Sequence, residues 1–340
     1  MREDKLKLYA CFSIYNLLIT LIKILPTKEK IDLLVGSQMP NYNVLLSRVK
    51  NLDCINQIYV FDSVSYKKIS YKGKWDKLLY ARRKEIQYIE NQLDIDWHKY
   101  KEEIYIFNDF EILGFYLVDK HICYHLLEDG LNFFTYFHRY YQLPAKAYKG
   151  WQIKVKNYLD ILHRPFGSSK YAIDIEVNDL QKLEINTKKV FEVPRKQLFE
   201  RLNEIQRKTI YEIFCQSSVN SNNIKGKKTV LICTQPLYLD GQLKTMDIQQ
   251  TVYRDVISQY NAEGYQITIK PHPRDTIDYM QLSKDYNCWV IDRYIPSEIL
   301  NFNPDISYDL ALSITTTAIE TLHFVKERRY LGFDFLERYK

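Results

Sequence analysis

Short aliphatic runs alternate with helix-spaced segments in two separate stretches, and this alternation most constrains the fold open to the chain. In the first stretch, residues 7–12, 31–35, 58–61, 104–107 and 121–127 read as strands, while 14–25 and 77–93 carry apolar residues at helical spacing. The rhythm breaks between residues 145 and 223, where charged helical stretches such as 195–214 dominate and 217–223 reads as a linker. It resumes with strands at 229–233, 265–269, 288–291, 310–313 and 330–333, and with helices at 246–260 and 318–325. Strands separated by helices pair in parallel through βαβ units, so two doubly wound α/β domains are expected. The expected boundaries are 1–150 for a first Rossmann-like domain, 151–223 for a helical extension and linker, and 224–340 for a second such domain. Two halves joined in this way are expected to face across a cleft, a favoured place for a ligand.

Composition narrows the function. A chain of 340 residues with 46% hydrophobic residues suits two ordinary domains, and 10 glycines and 10 prolines argue against long flexible linkers. The net charge of +6 falls short of a nucleic-acid footprint and suits an anionic small ligand, or a loose hold on an acidic membrane surface. Lys146, Lys149, Lys154 and Lys156 around Trp151 are the best candidates for that surface, unless they are only a solvated loop. Six cysteines occur without a CxxC pair or a histidine at ligand spacing, so a reducing, cytoplasmic setting without structural zinc is expected. Residues 9–25 are apolar, but Ser13, Asn16, Thr20 and Lys23 interrupt them and no small-residue cleavage site follows. They are expected to fold as a strand and a helix, with Pro26 ending the helix.

Neither half carries GxGxxG, GxxxxGK[ST], HExxH or GxSxG, which removes most of the prior for dinucleotide, P-loop, zincin and hydrolase chemistry. The acidic pairs Asp94-Ile95-Asp96 and Asp174-Ile175-Glu176 lie in alternating runs and read as structural, so no metal site is expected. Three motifs at strand ends remain. Lys270-Pro271-His272-Pro273-Arg274 follows the strand 265–269, and its prolines hold His272 in a rigid, extended bend. A histidine there, between two basic side chains, can protonate an anionic leaving group or hydrogen-bond a phosphate. Glu128-Asp129-Gly130 ends the strand 121–127. Burial and mutual repulsion there can raise one carboxyl pKa toward that of a general base, although Asp-Gly is also a common turn. Ser313-Ile314-Thr315-Thr316-Thr317 lies between a strand and the expected helix 318–325. Hydroxyls and free N–H groups at that point suit a phosphate, beyond what one helix cap needs. Together these motifs supply a base, an acid or phosphate donor, and an anion site, a set suited to sugar transfer from a nucleotide.

The order acid-acid-Gly, His-Pro, then a Ser/Thr cluster across two Rossmann-like halves resembles the bacterial sialyltransferases of GT-B fold. The layout is most similar to glycosyltransferase family 52, which includes lipooligosaccharide and capsule sialyltransferases. The opening 8–15 also resembles that family's first strand and helix. The resemblance implies an inverting, metal-independent transfer from CMP-sialic acid to a galactoside-type hydroxyl of a cell-surface glycan. It implies no cofactor, and a location in the cytoplasm or peripherally at the inner face of the membrane. It implies that His272 assists the departing phosphate, that Gln235, Lys270, Pro273 and Arg274 lie on the donor side, and that Ser313, Thr315, Thr316 and Thr317 hold phosphate or ribose. The base it implies is Asp129 or Glu128. In some family members the base follows the first strand of the second half, which makes Asp240 a rival. Ile314 departs from the usual adjacent pair of hydroxyl residues and leaves open which of them meets phosphate. A glycerol- or ribitol-phosphate transferase of cell-wall assembly and a non-catalytic nucleotide-sugar binder are the alternative readings.

Overall fold

The computed structural model describes residues 6–27, 29–69, 74–130, 133, 134, 137, 151, 166–183, 189–215 and 227–339. They divide into two compact units, Met1–Gln206 and Arg207–Lys340. The first is built on β1 (Lys7–Cys11), β2 (Ile31–Gly36), β3 (Ile55–Phe61), β4 (Ile104–Ile106), β5 (Tyr124–Leu127), β6 (Ala172–Val177) and β7 (Val190–Glu192). These strands pair in parallel in the order β3-β2-β1-β4-β5-β6-β7. Leu8, Ala10, Leu34, Ile104, Ile106 and Leu126 meet in one core cluster. Each fully buried leucine or isoleucine there contributes about 1.5–3 kcal/mol. The chain builds β2 and β3 to one side of β1 and then crosses to β4 on the other. The strand order therefore reverses between β1 and β4, where sheets of this kind open a crevice at their carboxyl ends.

Helix α1 (Ile14–Ile24) follows β1 directly. The Ser13 hydroxyl accepts the Asn16 N–H, and the Asn16 side chain returns to the Ser13 N–H in a reciprocal cap. The buried Leu17, Leu18, Leu21 and Ile22 form the expected face, and the helix stops just before Pro26. No helix among the described residues is long and apolar enough to cross a membrane. Both acidic pairs have structural partners. The Asp96 carboxylate accepts the His98 N–H at 3.1 Å, Asp174 pairs with His125 at 2.8 Å, and Glu176 meets Lys23 and Arg195.

The second unit carries β8 (Thr229–Cys233), β9 (Gln266–Lys270), β10 (Trp289–Val290), β11 (Tyr308–Ser313) and β12 (Val325–Tyr330). They form a parallel sheet in the order β10-β9-β8-β11-β12. Every residue of β8 and β9 is buried, as strands covered on both faces should be. The order reverses here between β8 and β11. Cys233 pairs with Lys270 on one side and with Ser313 on the other, so the ends of β8, β9 and β11 lie level in one row.

Three expectations change. Within 151–223, the expected helical extension, β6 and β7 extend the first sheet; these strands are short, and β7 is exposed enough to hide its alternation. The unit division falls at 206/207 rather than in the 217–223 stretch, which lies outside the described residues. Of the basic cluster, only Trp151 is described, and it is 66% exposed. Residues 318–325 do not form a helix. A 3₁₀ turn, Thr317–Thr321, is followed at Val325 by β12. Thr317, Ile319 and Thr321 are β-branched and weaken a helix, while pairing of 325–330 with β11 claims the chain. Arg328 then donates to the carbonyls of Ile319 and Leu322, which the short turn leaves open.

Candidate active site

Extended backbone turns outward at the end of β9, where Lys270-Pro271-His272 leaves the sheet. The His272 N–H donates to the Thr234 hydroxyl at 3.2 Å, and Asp275 anchors the far side of the bend. The Asp275 carboxylate is fully buried and accepts from the Thr234 hydroxyl and the Tyr279 hydroxyl at 2.7 Å each, from Gln249 Nε2 at 3.0 Å and from the Ile277 N–H at 3.1 Å. A buried carboxylate with this many donors fixes the loop that carries the histidine. The Arg274 N–H donates to His272 Nδ1 at 3.1 Å, so the neutral ring carries its proton on Nε2. Burial first, then Arg274 and Lys270, hold the imidazole pKa below its ordinary value. His272 is therefore a neutral ring with an Nε2–H to offer.

Lys270 is buried rather than presented. Its ammonium donates to the carbonyls of Pro271 at 2.9 Å and Arg293 at 3.0 Å, and burial lowers its pKa to about 8. Its role is to hold the bend in place. Arg274 pairs at 3.0 Å with Asp240, which lies on an exposed turn closed by Gly241 at φ 73°. The structure thus brings His272, Arg274 and Asp240 into one neighbourhood of the second unit.

Across the strand-order reversal, the Gln235 amide locks onto Thr315. Its Oε1 accepts the Thr315 N–H at 2.8 Å, and its Nε2 donates to the Thr315 hydroxyl at 2.7 Å. Gln235, His272 and Thr315 each stand two residues beyond the level row of Cys233, Lys270 and Ser313. Each of the three strand ends is therefore followed, two residues on, by one polar side chain. The hydroxyls of the cluster divide unequally. Ser313 is buried and donates to the Thr316 carbonyl at 2.9 Å, while the Thr316 hydroxyl accepts the Ala318 N–H at 3.3 Å. Thr315 and Thr316 each accept a bond and keep a proton to donate; Ile314 is buried, and the Thr317 side chain lies outside the described residues. The expected helix dipole behind this cluster is missing, because a single 3₁₀ turn follows.

In the first unit, the two carboxylates at the end of β5 differ. Glu128 is 3% exposed and accepts the Asn178 N–H at 2.5 Å, which ties β5 to the end of β6. Asp129 is half-buried, and its carboxylate accepts from Asn16 Nδ2 at 2.6 Å. Burial raises the pKa of both; the Asn178 bond opposes the rise in Glu128 and the Asn16 bond opposes it in Asp129. Gly130 adopts φ +78°, and a Cβ built there would meet no described residue within 4 Å. The positive φ is what favours a glycine in this turn. Of the two acids, Asp129 is the more exposed. Sequence reasoning did not identify Asn16, Thr234, Gln249 or Asp275. Asn16 had one visible signal, a polar residue three positions after a capping serine inside an apolar run.

The model of glycosyltransferase family 52 matches residues 33–328 of the chain. No curated protein matches it. Among solved structures, it is similar to the alpha/beta-galactoside alpha-2,3-sialyltransferase of the luminous marine bacterium Photobacterium phosphoreum. Identity is 12%, the match covers 96% of this chain and 90% of that one, and the TM-score is 0.52. It is also similar to the GT-B domain of a sialyltransferase from Photobacterium damselae, at 15% identity, the same coverages and a TM-score of 0.47. The architecture of two Rossmann-like parallel sheets is that of the GT-B glycosyltransferases.

Proposed function

The chain belongs to glycosyltransferase family 52, and from that premise we propose that it moves sialic acid from CMP-sialic acid to a galactoside-type hydroxyl of a surface glycan, with inversion and without a metal. One observation carries this reading: Gln235, His272 and Thr315 each follow by two residues the level strand ends at the strand-order reversal of the second sheet, offering N–H and O–H donors where an anionic donor substrate would lie. In the proposed reaction, Asp129 takes the proton of the acceptor hydroxyl. The freed oxygen attacks the anomeric carbon, and the bond from that carbon to the CMP phosphate breaks on the opposite face. The electron pair leaves on the phosphate, where His272 Nε2–H meets the growing charge. A phosphate monoester has a second pKa of about 6, so CMP can depart without being protonated and a neutral donor suffices. Burial of Asp129 brings its pKa nearer the working pH, which favours a general base.

Melting the protein with nucleotides tests the donor. CMP and CMP-sialic acid should stabilise it in the presence of EDTA, by about 2.7 kcal/mol at a hundredfold excess over the dissociation constant. Greater stabilisation by a UDP-sugar, or loss of turnover in EDTA, would remove the donor assignment. Within the hydroxyl cluster, Thr316→Val should weaken CMP binding by about 1–3 kcal/mol, the cost of a lost hydrogen bond to a charged group. Ser313→Ala should leave CMP affinity unchanged, because that hydroxyl is buried and already donates to a carbonyl. Calorimetry of CMP binding to both variants checks the division.

A further inference from the structure

The side chain of Asn16 makes contacts that a helix cap does not require. Asn16 is 2% exposed at the third position of α1. Its Oδ1 accepts two backbone N–H groups, from Phe12 at 3.1 Å and Ser13 at 3.0 Å. That leaves Nδ2 to donate to Asp129 Oδ1 at 2.6 Å. The amide cannot turn over: its NH₂ would then face two N–H donors, and its oxygen would face a carboxylate. Because the capped end of β1 fixes this donor, the contact to the end of β5 has one orientation only.

We propose that Asn16 is the positioning residue for the catalytic base. It holds Asp129 by Oδ1, so that Oδ2 receives the acceptor's proton, and it keeps the carboxylate ionised in a half-buried place. This rests on the reading of Asp129 as base. Burial is the main influence raising Asp129, and the Asn16 bond is what opposes it. The charged groups around that strand end, Arg195, Lys182 and Asp179, act on Glu128, whose carboxylate faces the Asn178 N–H.

Asn16→Asp separates the two duties of the residue. The new carboxylate still accepts the Phe12 and Ser13 N–H groups, which preserves the cap and keeps it ionised. Toward Asp129 it replaces a donor with a like charge. The acid limb of kcat/KM for acceptor-dependent CMP release from CMP-sialic acid should move up by about one pH unit or more. Turnover near pH 7 should fall about tenfold or more and recover at higher pH, while the KM for CMP-sialic acid stays put. Melting curves read the same coupling without turnover. The variant's loss of Tm should be larger near neutral pH than near pH 4, and should vanish when Asp129→Asn is added. An unmoved acid limb, or an equal loss of Tm with and without Asp129→Asn, would leave Asn16 as a cap alone and overturn the proposal. If Asp129→Asn itself turns over normally, the base assignment fails and the proposal falls with it, a result distinct from the other two.

Discussion

Replacing His272 by Ala lowers turnover by about 10²–10⁴-fold, the range for a group that handles charge or a proton in the transition state. The fold should survive, since the bend that carries the ring is fixed by other groups. The His272 backbone N–H stays on the Thr234 hydroxyl, and Asp275 keeps its donors from Thr234, Tyr279 and Gln249. Among the described residues, only the Arg274 N–H loses a partner, at an exposed position where water can replace it. The loss should therefore appear in kcat with Tm nearly unchanged, and CMP affinity should fall by no more than one lost hydrogen bond. Steady-state CMP release together with melting curves checks this. A silent His272→Ala would remove the catalytic reading of the second unit, whatever the donor.

Asp129→Asn should cost turnover on the same scale at saturating donor, without loss of CMP affinity. It should also stabilise the protein near neutral pH. Burial raises the folded-state pKa of Asp129 above its ordinary 3.8. A carboxyl of that kind favours the fold while protonated, and its contribution is lost as pH rises through the folded value. The neutral amide mimics the protonated form and still accepts from Asn16. The variant's Tm should therefore exceed the parent's near pH 7, and the gap should close as pH falls toward about 4. Asp240→Asn is the comparison. It removes an exposed ion pair with Arg274, a contribution of about 0–1 kcal/mol, and should leave most of the turnover. If Asp240→Asn abolishes turnover and Asp129→Asn does not, the base is Asp240 and the family assignment is untouched.

The sites that could be read from sequence were those announced by local chemistry. Prolines on both sides of His272 after a β-branched run, and a glycine after two acids, mark strand exits whatever else the chain does. What remained hidden depended on distant partners. Asn16 and Asp129 are 113 residues apart, and Gln235 and Thr315 are 80 apart, so no spacing rule could pair them. The unequal hydroxyls of the cluster were hidden for a related reason. Four hydroxyls in five positions look equivalent in sequence, but Ser313 is buried and bonded to its own loop. The segment after them has enough local preference for one turn only, and pairing with β11 outcompetes any further helix. The strand β7 was missed because three residues give little alternation to detect, and the alternation in β6 was read only as the setting of its acids.

The level row of Cys233, Lys270 and Ser313 sets an unequal tolerance to insertions and deletions across this unit. Side chains alternate faces along a strand, so gaining or losing a single residue inside β8, β9 or β11 turns everything beyond it to the opposite side. Gln235, His272 and Thr315 would each be turned from their present side by such a slip. The connections that return to the opposite ends of the strands carry no such constraint. Length variation among family members should therefore gather in those returning connections, with the three strands kept as fixed rulers.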